Sequence, residues 1–434
     1  MGARVAPPVT AGASGPRRAL ATFWATAANR RVLLLVVLLP LFGQTFHYMK
    51  DLKPLWALSK AFPILSLPLA LPVLTRLRLP LVLTWLFVFV WLVLVSSFIG
   101  IFTFDQNFLA GLTAQVKLLP MLYAFSFLGL LLIVRPTARE LTCVFFVWAA
   151  LTFAAVVLLW AFAPQSWYVS SIAYGDAPLL STDDRGNRIR MPMYFGMIAL
   201  FAFHRQFLKR GDWRFGVLVA ATLAVLVGII RTRSVVLASV VTLATVTFVA
   251  APPRWRAVAV LGIALAALVL LQVPYVRSAF NTSSASGFDV RQVTADKAIA
   301  FLGDRPLRWL FGVGTITSLD PGGLAKFFNH YFFLGDISWL GVVFEFGLIG
   351  AGLFVLLLAR TWLFARTIRR SFDTASLGGL QDYVLFTAIQ SPLYSTMTLQ
   401  PGEIALIAAS FVYLAIVLRD AGVDGARVGR TTGA

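Results

Sequence analysis

A 434-residue chain with one cysteine, three histidines and 18 acidic residues against 37 basic ones excludes several kinds of protein at once. Cys143 lies inside the apolar run LTCVFFVWAA, so no disulfide framework or cysteine metal site is available. No cluster of acidic or histidine residues has ligand spacing, and neither a metal nor another cofactor is expected. Charged residues are also scarce, at 13% of the chain, where soluble domains carry about a quarter. What is present instead is apolar: 59% hydrophobic residues and a mean hydropathy of +0.83. Lipid must be the main solvent. The formal charge of +19 would suggest nucleic acid in a soluble protein, but in a membrane protein the side on which each charge stands matters more than the sum. No nucleic-acid partner is expected.

A helix needs about 20 apolar residues to cross a bilayer. The runs that satisfy this predict an all-α, polytopic membrane helix bundle of about 12 transmembrane helices. They are Val32–Met49, Ala61–Thr75, Pro80–Phe104, Val116–Val134, Leu141–Ala163, Met191–Leu208, Phe215–Ile230, Ser234–Ala250, Ala257–Val273, Ile337–Ala359, Tyr383–Leu399 and Ile404–Leu418. Residues 1–31, rich in Ala, Gly, Pro and Thr, read as a disordered cytoplasmic tail, 32–418 as one transmembrane domain and 419–434 as a second cytoplasmic tail. With the N-terminus inside, the inner loops become TRLRL, VRPTARE, HRQFLKRGDWR, PPRWR and RTWLFARTIRR, each with at least two arginines or lysines. This is the positive-inside pattern, and it places both ends in the cytoplasm.

Two outer segments are too long and polar to be simple turns, 164–190 and 274–336, the second lying between spans nine and ten. The second carries turn signals at Asn281–Gly287 and Asp320–Gly323, with Ala295–Leu302 reading as a short amphipathic helix. It also supplies Arg277, Arg291, Lys297, Arg305 and Arg308, with His330 and Asp336 near its end. Arginine's planar fork suits a bidentate grip on phosphate, and a His or Asp nearby can act as general base on a hydroxyl. Solvated loop charges and a packed histidine are the plain alternative. Arg231 and Arg233 stand at the outer turn between spans seven and eight; on a helix they would point about 200° apart, so only one would face a given cleft. Glu345 falls inside span ten, where an unpaired carboxylate is costly, so a structural partner or a neutral form is expected.

Four stretches resemble the O-antigen ligase and O-antigen polymerase superfamily of bacterial glycan-assembly membrane proteins. TRSVVLAS resembles its Ser/Thr-Arg-Gly/Ser motif and maps the first arginine to Arg233. VRQVTADKAIAFLGDRPLRWLFGVGT resembles its arginine, helix, proline and Gly-x-Gly stretch, mapping the second arginine to Arg291 and the glycines to Gly312 and Gly314. GVVFEFGLIG resembles its Glu-x-Gly-Leu-Ile-Gly block, and RIRMPMYFGMIAL, more loosely, the basic entry to a mid-chain span. The likeness covers about the last 250 residues.

The resemblance implies a bacterial inner-membrane enzyme that needs no metal. It would transfer an oligosaccharide from a polyprenyl (undecaprenyl) diphosphate carrier to the hydroxyl of an acceptor glycan, either lipid A core or a second lipid-linked chain, at the periplasmic face. Arg233 and Arg291 would hold the diphosphate and stabilise leaving-group charge. The family's His-Asn pair before the glutamate block is replaced here by Asp336 and Ile337, with His330 six residues earlier, so either His330 or Asp336 would accept the hydroxyl proton. Arg305 and the Arg185, Arg188 and Arg190 cluster would guide donor or acceptor. Membrane lipids and glycan-export proteins are the remaining expected partners. A lipid-linked glycan flippase or other secondary transporter is the alternative, and a non-catalytic scaffold of an export complex is a third.

Overall fold

The computed structural model describes residues 29–46, 49, 51–74, 79–170, 178–183, 186–252, 256–257, 260–261, 288–316, 326–328, 332–372 and 374–421. Of the described residues, 81% are helical. In chain order the helices are α1 (Arg30–Phe42), α2 (Lys53–Leu65), α3 (Pro80–Phe104), α4 (Phe108–Ala114), α5 (Tyr123–Val134) and α6 (Ala138–Phe162). Strands β1 (Leu180–Asp183) and β2 (Gly186–Ile189) follow, then α7 (Tyr194–Arg210), α8 (Trp213–Val225), α9 (Arg233–Ala250), α10 (Phe288–Leu302) and α11 (Pro306–Phe311). The chain closes with α12 (Ser338–Phe372), α13 (Ala375–Gln390), α14 (Thr396–Leu399) and α15 (Pro401–Asp420). A 3-10 stretch, Gln115–Leu122, joins α4 to α5, and a π-turn, Leu226–Ile230, ends α8.

Among the described residues, eight helical stretches are long and apolar enough to cross a membrane: Lys53–Val73, Leu81–Phe104, Phe108–Val134, Ala138–Phe162, Trp213–Ile230, Arg233–Ala250, Ser338–Phe372 and Pro401–Asp420. Each overlaps one of the twelve runs read from sequence. Of the other four, Val32–Met49 falls on the thirteen-residue α1, which carries Pro40, and Met191–Leu208 falls on the seventeen-residue α7. Tyr383–Leu399 is divided between α13 and α14 by the turn after Gln390, and Ala257–Val273 lies almost entirely outside the described residues. The tails 1–28 and 422–434 lie outside them too.

Where the helices differ from the expected runs, the reason is local. RTWLFARTIRR, expected as a loop, continues α12 as helix, because Arg and Leu are good helix formers and Arg366 packs over the Trp362 ring at 5.4 Å. Among the described residues, the hairpin of β1 and β2 interrupts a helical run, pairing antiparallel in the register Leu180↔Ile189 to Asp183↔Gly186.

The bundle is lined outside with apolar side chains. Only 33% of the central part of Leu81–Phe104 is buried, and Phe102 and Phe162 stand 88% and 77% exposed, as lipid-facing residues must. Pro401–Asp420, 83% buried over its most apolar 18 residues, runs through the middle with α5 and α12 against it, and α7 packs along α13. A bidentate ion pair ties α7 to α13: Arg205 donates to Asp382 from Nε at 2.5 Å and from Nη2 at 2.6 Å, with Asp382 fully enclosed.

The start of α6 shows how a span is fixed at one end. Thr137 accepts from the Glu140 amide at 3.2 Å while Glu140 accepts from the Thr137 amide at 2.7 Å, a reciprocal cap, and Asn29 at the head of α1 donates to Glu140 at 2.7 Å. Thr137→Ala is expected to cost about 1 kcal/mol. A small drop in melting temperature in detergent, with unchanged helix content, checks it.

Candidate functional site

The segment after α11 turns back into the end of the bundle instead of passing over it. Gly312 closes α11 with its amide donating to Arg308 at 2.8 Å, and both Gly312 (φ +82°) and Gly314 (φ +81°) take backbone conformations that side-chain-bearing residues rarely adopt. The Val313 amide donates to the Phe344 carbonyl at 2.7 Å and the Gly314 amide to the Glu345 carbonyl at 3.2 Å. Those carbonyls are available because α12 breaks at Gly347, whose φ of +70° and ψ of 179° lie far from helical values. The Gly-x-Gly and Glu-x-Gly stretches quoted above, some thirty residues apart, are therefore one backbone-to-backbone joint.

Close approach explains the glycines. A Cβ on Gly312 would stand 2.6 Å from the Glu345 carbonyl, and one on Gly347 would stand 2.1 Å from the Leu310 oxygen. A Cβ on Gly314 would meet the backbone of α3 at Gly100 and Ser96.

Polar side chains complete the insertion. The Thr315 carbonyl accepts from Gln106 Nε2 at 2.7 Å, its hydroxyl meets Ser96 Oγ at 3.2 Å, and Ser96 accepts from Gln115 Nε2 at 3.0 Å. Beside this chain the Lys117 ammonium pairs with the Glu345 carboxylate, and Lys117 Nζ sits 5.5 Å from the Phe346 ring centre. The expected partner of Glu345 is thus a lysine in the 3-10 stretch between α4 and α5. Lys117, Gln115, Gln106, Ser96 and Thr315 were not singled out from sequence. A lysine in the otherwise apolar run VKLLPML was the available signal, since ionisable groups within spans are costly and so are rarely unpartnered.

A small second core sits over the joint. Ala298 and Leu302 of α10, Val313, Ile316, Phe332, Leu334 and Ile337 enclose Phe104 and Phe344 at the adjoining ends of α3 and α12. Arg308 is bound into it, its Nη1 donating to the Phe301 carbonyl at 2.5 Å with the guanidinium 4.8 Å from the Phe301 ring. Burial, then the neighbouring Arg305, lowers the Arg308 pKa below its ordinary value.

The sequence-derived candidates fall into two groups. Arg291 is exposed on the first part of α10, a helix that packs against both α12 and the 3-10 turn Leu334–Ile337, which contains the backbone of Asp336. Arg305 is the exposed residue preceding α11. In the second group, Arg233 is half-buried as the first residue of α9. Arg231 ends the π-turn in a left-handed conformation, φ +52°, outside the helix that Arg233 opens, so the separation of about 200° expected on a shared helix does not apply. The hairpin packs on that π-turn, with Gly186 against the Arg231 guanidinium. Within the hairpin Arg188 is buried and pairs with Asp183 at 3.0 Å, and Arg190 donates from Nε to Ser181 at 3.0 Å. These contacts give Arg188 and Arg190 a part in holding the hairpin. Arg185, Arg277, His330 and the side chain of Asp336 lie outside the described residues.

What this arrangement offers chemically is a rigid, hydrogen-bonded floor at one end of an apolar bundle, carrying arginine-bearing segments above it. Compared with known proteins, the chain matches no family model and no curated protein sequence.

Proposed function

We propose that this membrane protein is a glycan polymerase or ligase of a bacterial inner membrane, acting at its outer face on a polyprenyl-diphosphate-linked oligosaccharide. The observation that carries the reading is the joint between the Gly312–Gly314 segment and the broken helix α12, which anchors the helix bearing Arg291 at one end of a lipid-embedded bundle. In this reading the eight long spans, α1, α7, α13 and the run 257–273 make twelve crossings with both ends inside, and the joint faces the periplasm. Arg291 and Arg233 grip the diphosphate and offset the charge that develops as the glycosyl bond breaks. His330 or Asp336 takes the proton of the attacking hydroxyl. Arg305 and the Arg185, Arg188 and Arg190 cluster guide donor or acceptor.

Complementation of a strain that lacks the gene, scored on gels of lipopolysaccharide and exopolysaccharide, tests it. Arg291→Lys keeps the charge but loses the fork, and glycan assembly is expected to fall by about 100-fold, as for removal of one preorganised donor. Unimpaired assembly by Arg233→Ala and Arg291→Ala proteins would sink the mechanism. Loss of ladder length would identify a polymerase, and full-length polymer that never reaches lipid A core a ligase.

One observation favours the alternative of a flippase or other secondary transporter. Lys117 and Glu345 pair within spans next to a broken helix, an arrangement transporters use near the bilayer centre. Movement of lipid-linked donor across proteoliposomes, without any glycosidic bond formed, would decide for it.

A further inference from the structure

At the end of the bundle remote from the joint, two adjoining cavities of about 330 Å³ and 170 Å³ open between α7 and the start of α13. The distance follows from α12, which runs from its break at Gly347 in the joint to Arg369 near its end, about 33 Å at 1.5 Å per residue. Lys209 and Thr374 line both cavities, Arg210 lines the larger and Arg369 the smaller. Two separate helices, α7 and α12, thus bring cations to one place. The Arg369 Nε is buried without a hydrogen-bond partner among the described residues.

The surrounding charge is lopsided. In 205–214, 366–374 and Asp382 together there are seven basic residues and three acidic ones. Asp382 is already held by both arms of Arg205, and Asp212 accepts from the Arg214 amide at 3.0 Å as the cap of α8. Asp373, the third, lies outside the described residues. At the same spot α13, sixteen residues long, begins with no side chain capping its first amides, which adds partial positive charge. The walls are different: Phe146, Phe203 and Phe215 give the larger cavity an aromatic side.

We propose that this cavity binds a phosphate group, held by Lys209, Arg210 and Arg369, and that its source is the headgroup of an anionic phospholipid whose glycerol and upper chains lie on the phenylalanine wall. A cationic floor with an apolar wall, at the end of lipid-facing helices, matches a molecule that is anionic at one end and apolar at the other. The site is independent of the proposed glycan chemistry, and failure of either leaves the other standing.

Native mass spectrometry of the full chain, reconstituted in vesicles of equal phosphatidylglycerol and phosphatidylcholine, tests it. The wild type should retain phosphatidylglycerol selectively, and the Lys209→Gln/Arg210→Gln protein should retain about tenfold less, the loss of roughly one charge-assisted hydrogen bond's affinity. Ala375→Leu narrows the cavity with every charge kept, and should lose the lipid as well; it decides the matter if the double variant does not fold. Inorganic phosphate should not displace the bound lipid. Binding of inorganic phosphate that is lost in the same variants, without phosphatidylglycerol selectivity, would keep the phosphate site and overturn the lipid as its source. Equal phosphatidylglycerol retention by the wild type and both variants would overturn the proposal altogether.

Discussion

Gly347→Ala is expected to remove most of the folded protein, while Gly352→Ala, five residues along the same helix, is expected to be harmless. Gly347 combines two demands. Its φ of +70° with ψ of 179° is a region open essentially to glycine alone, and forcing another residue there costs about 1–3 kcal/mol. An added Cβ would also stand 2.1 Å from the Leu310 oxygen and 2.5 Å from the Gly312 amide nitrogen, both backbone atoms that cannot rotate aside. Relief requires the Gly312–Ile316 segment to withdraw, which exposes the Phe344 and Glu345 carbonyls inside the bundle at a further cost of about 1–3 kcal/mol for each unsatisfied group. The sum, about 3–9 kcal/mol, is comparable with a domain's whole stability. At Gly352 an added Cβ meets nothing within 4 Å in ordinary helix, and alanine's higher helix propensity is worth up to about 1 kcal/mol there. Yield of monodisperse protein in detergent, with melting temperatures for whatever survives, separates the two. Equal behaviour would mean that the break at Gly347 is not what seats the loop.

The contrast between these glycines also marks what a sequence reading reaches. Apolar run length predicts the spans because crossing lipid is a local requirement, met by each helix's own backbone, and Leu81–Phe104 and Ala138–Phe162 sit nearly where their runs placed them. Run length is a poorer guide where the chain is enclosed by protein. α7 is seventeen residues and α13 sixteen, and hydroxyls complete the broken end of α13: Ser338 Oγ donates to the Ser391 carbonyl at 2.5 Å and Ser395 Oγ to the Ser338 carbonyl at 2.7 Å. The motif glycines were legible as a set, but not their union, because Gly312 meeting Gly347 is a tertiary pairing with no periodicity along the chain. Lys117 was hidden for the same reason. Arg188 was equally hidden in one respect: its pairing with Asp183, which serves the hairpin, has no mark in the run of residues around it.

Breaking the Lys117–Glu345 pair from one side should be far worse than removing it whole. Glu345 is buried and Lys117 about a quarter exposed, so each charge has given up water on the strength of the other. Lys117→Met leaves a carboxylate enclosed by α12 and the inserted loop, and the expected loss is about 3 kcal/mol, the low end for a buried pair because the lysine retains some solvent. Glu345→Gln leaves the ammonium with the neutral amide and the Phe346 face, and its loss should be smaller, about 1–2 kcal/mol. The Lys117→Met/Glu345→Gln protein should regain most of what Lys117→Met loses, because no uncompensated charge remains. A double-mutant cycle on melting temperature, or on urea midpoints in a fixed detergent, measures the coupling. Simple addition of the two single losses would show that the pair does not hold the joint.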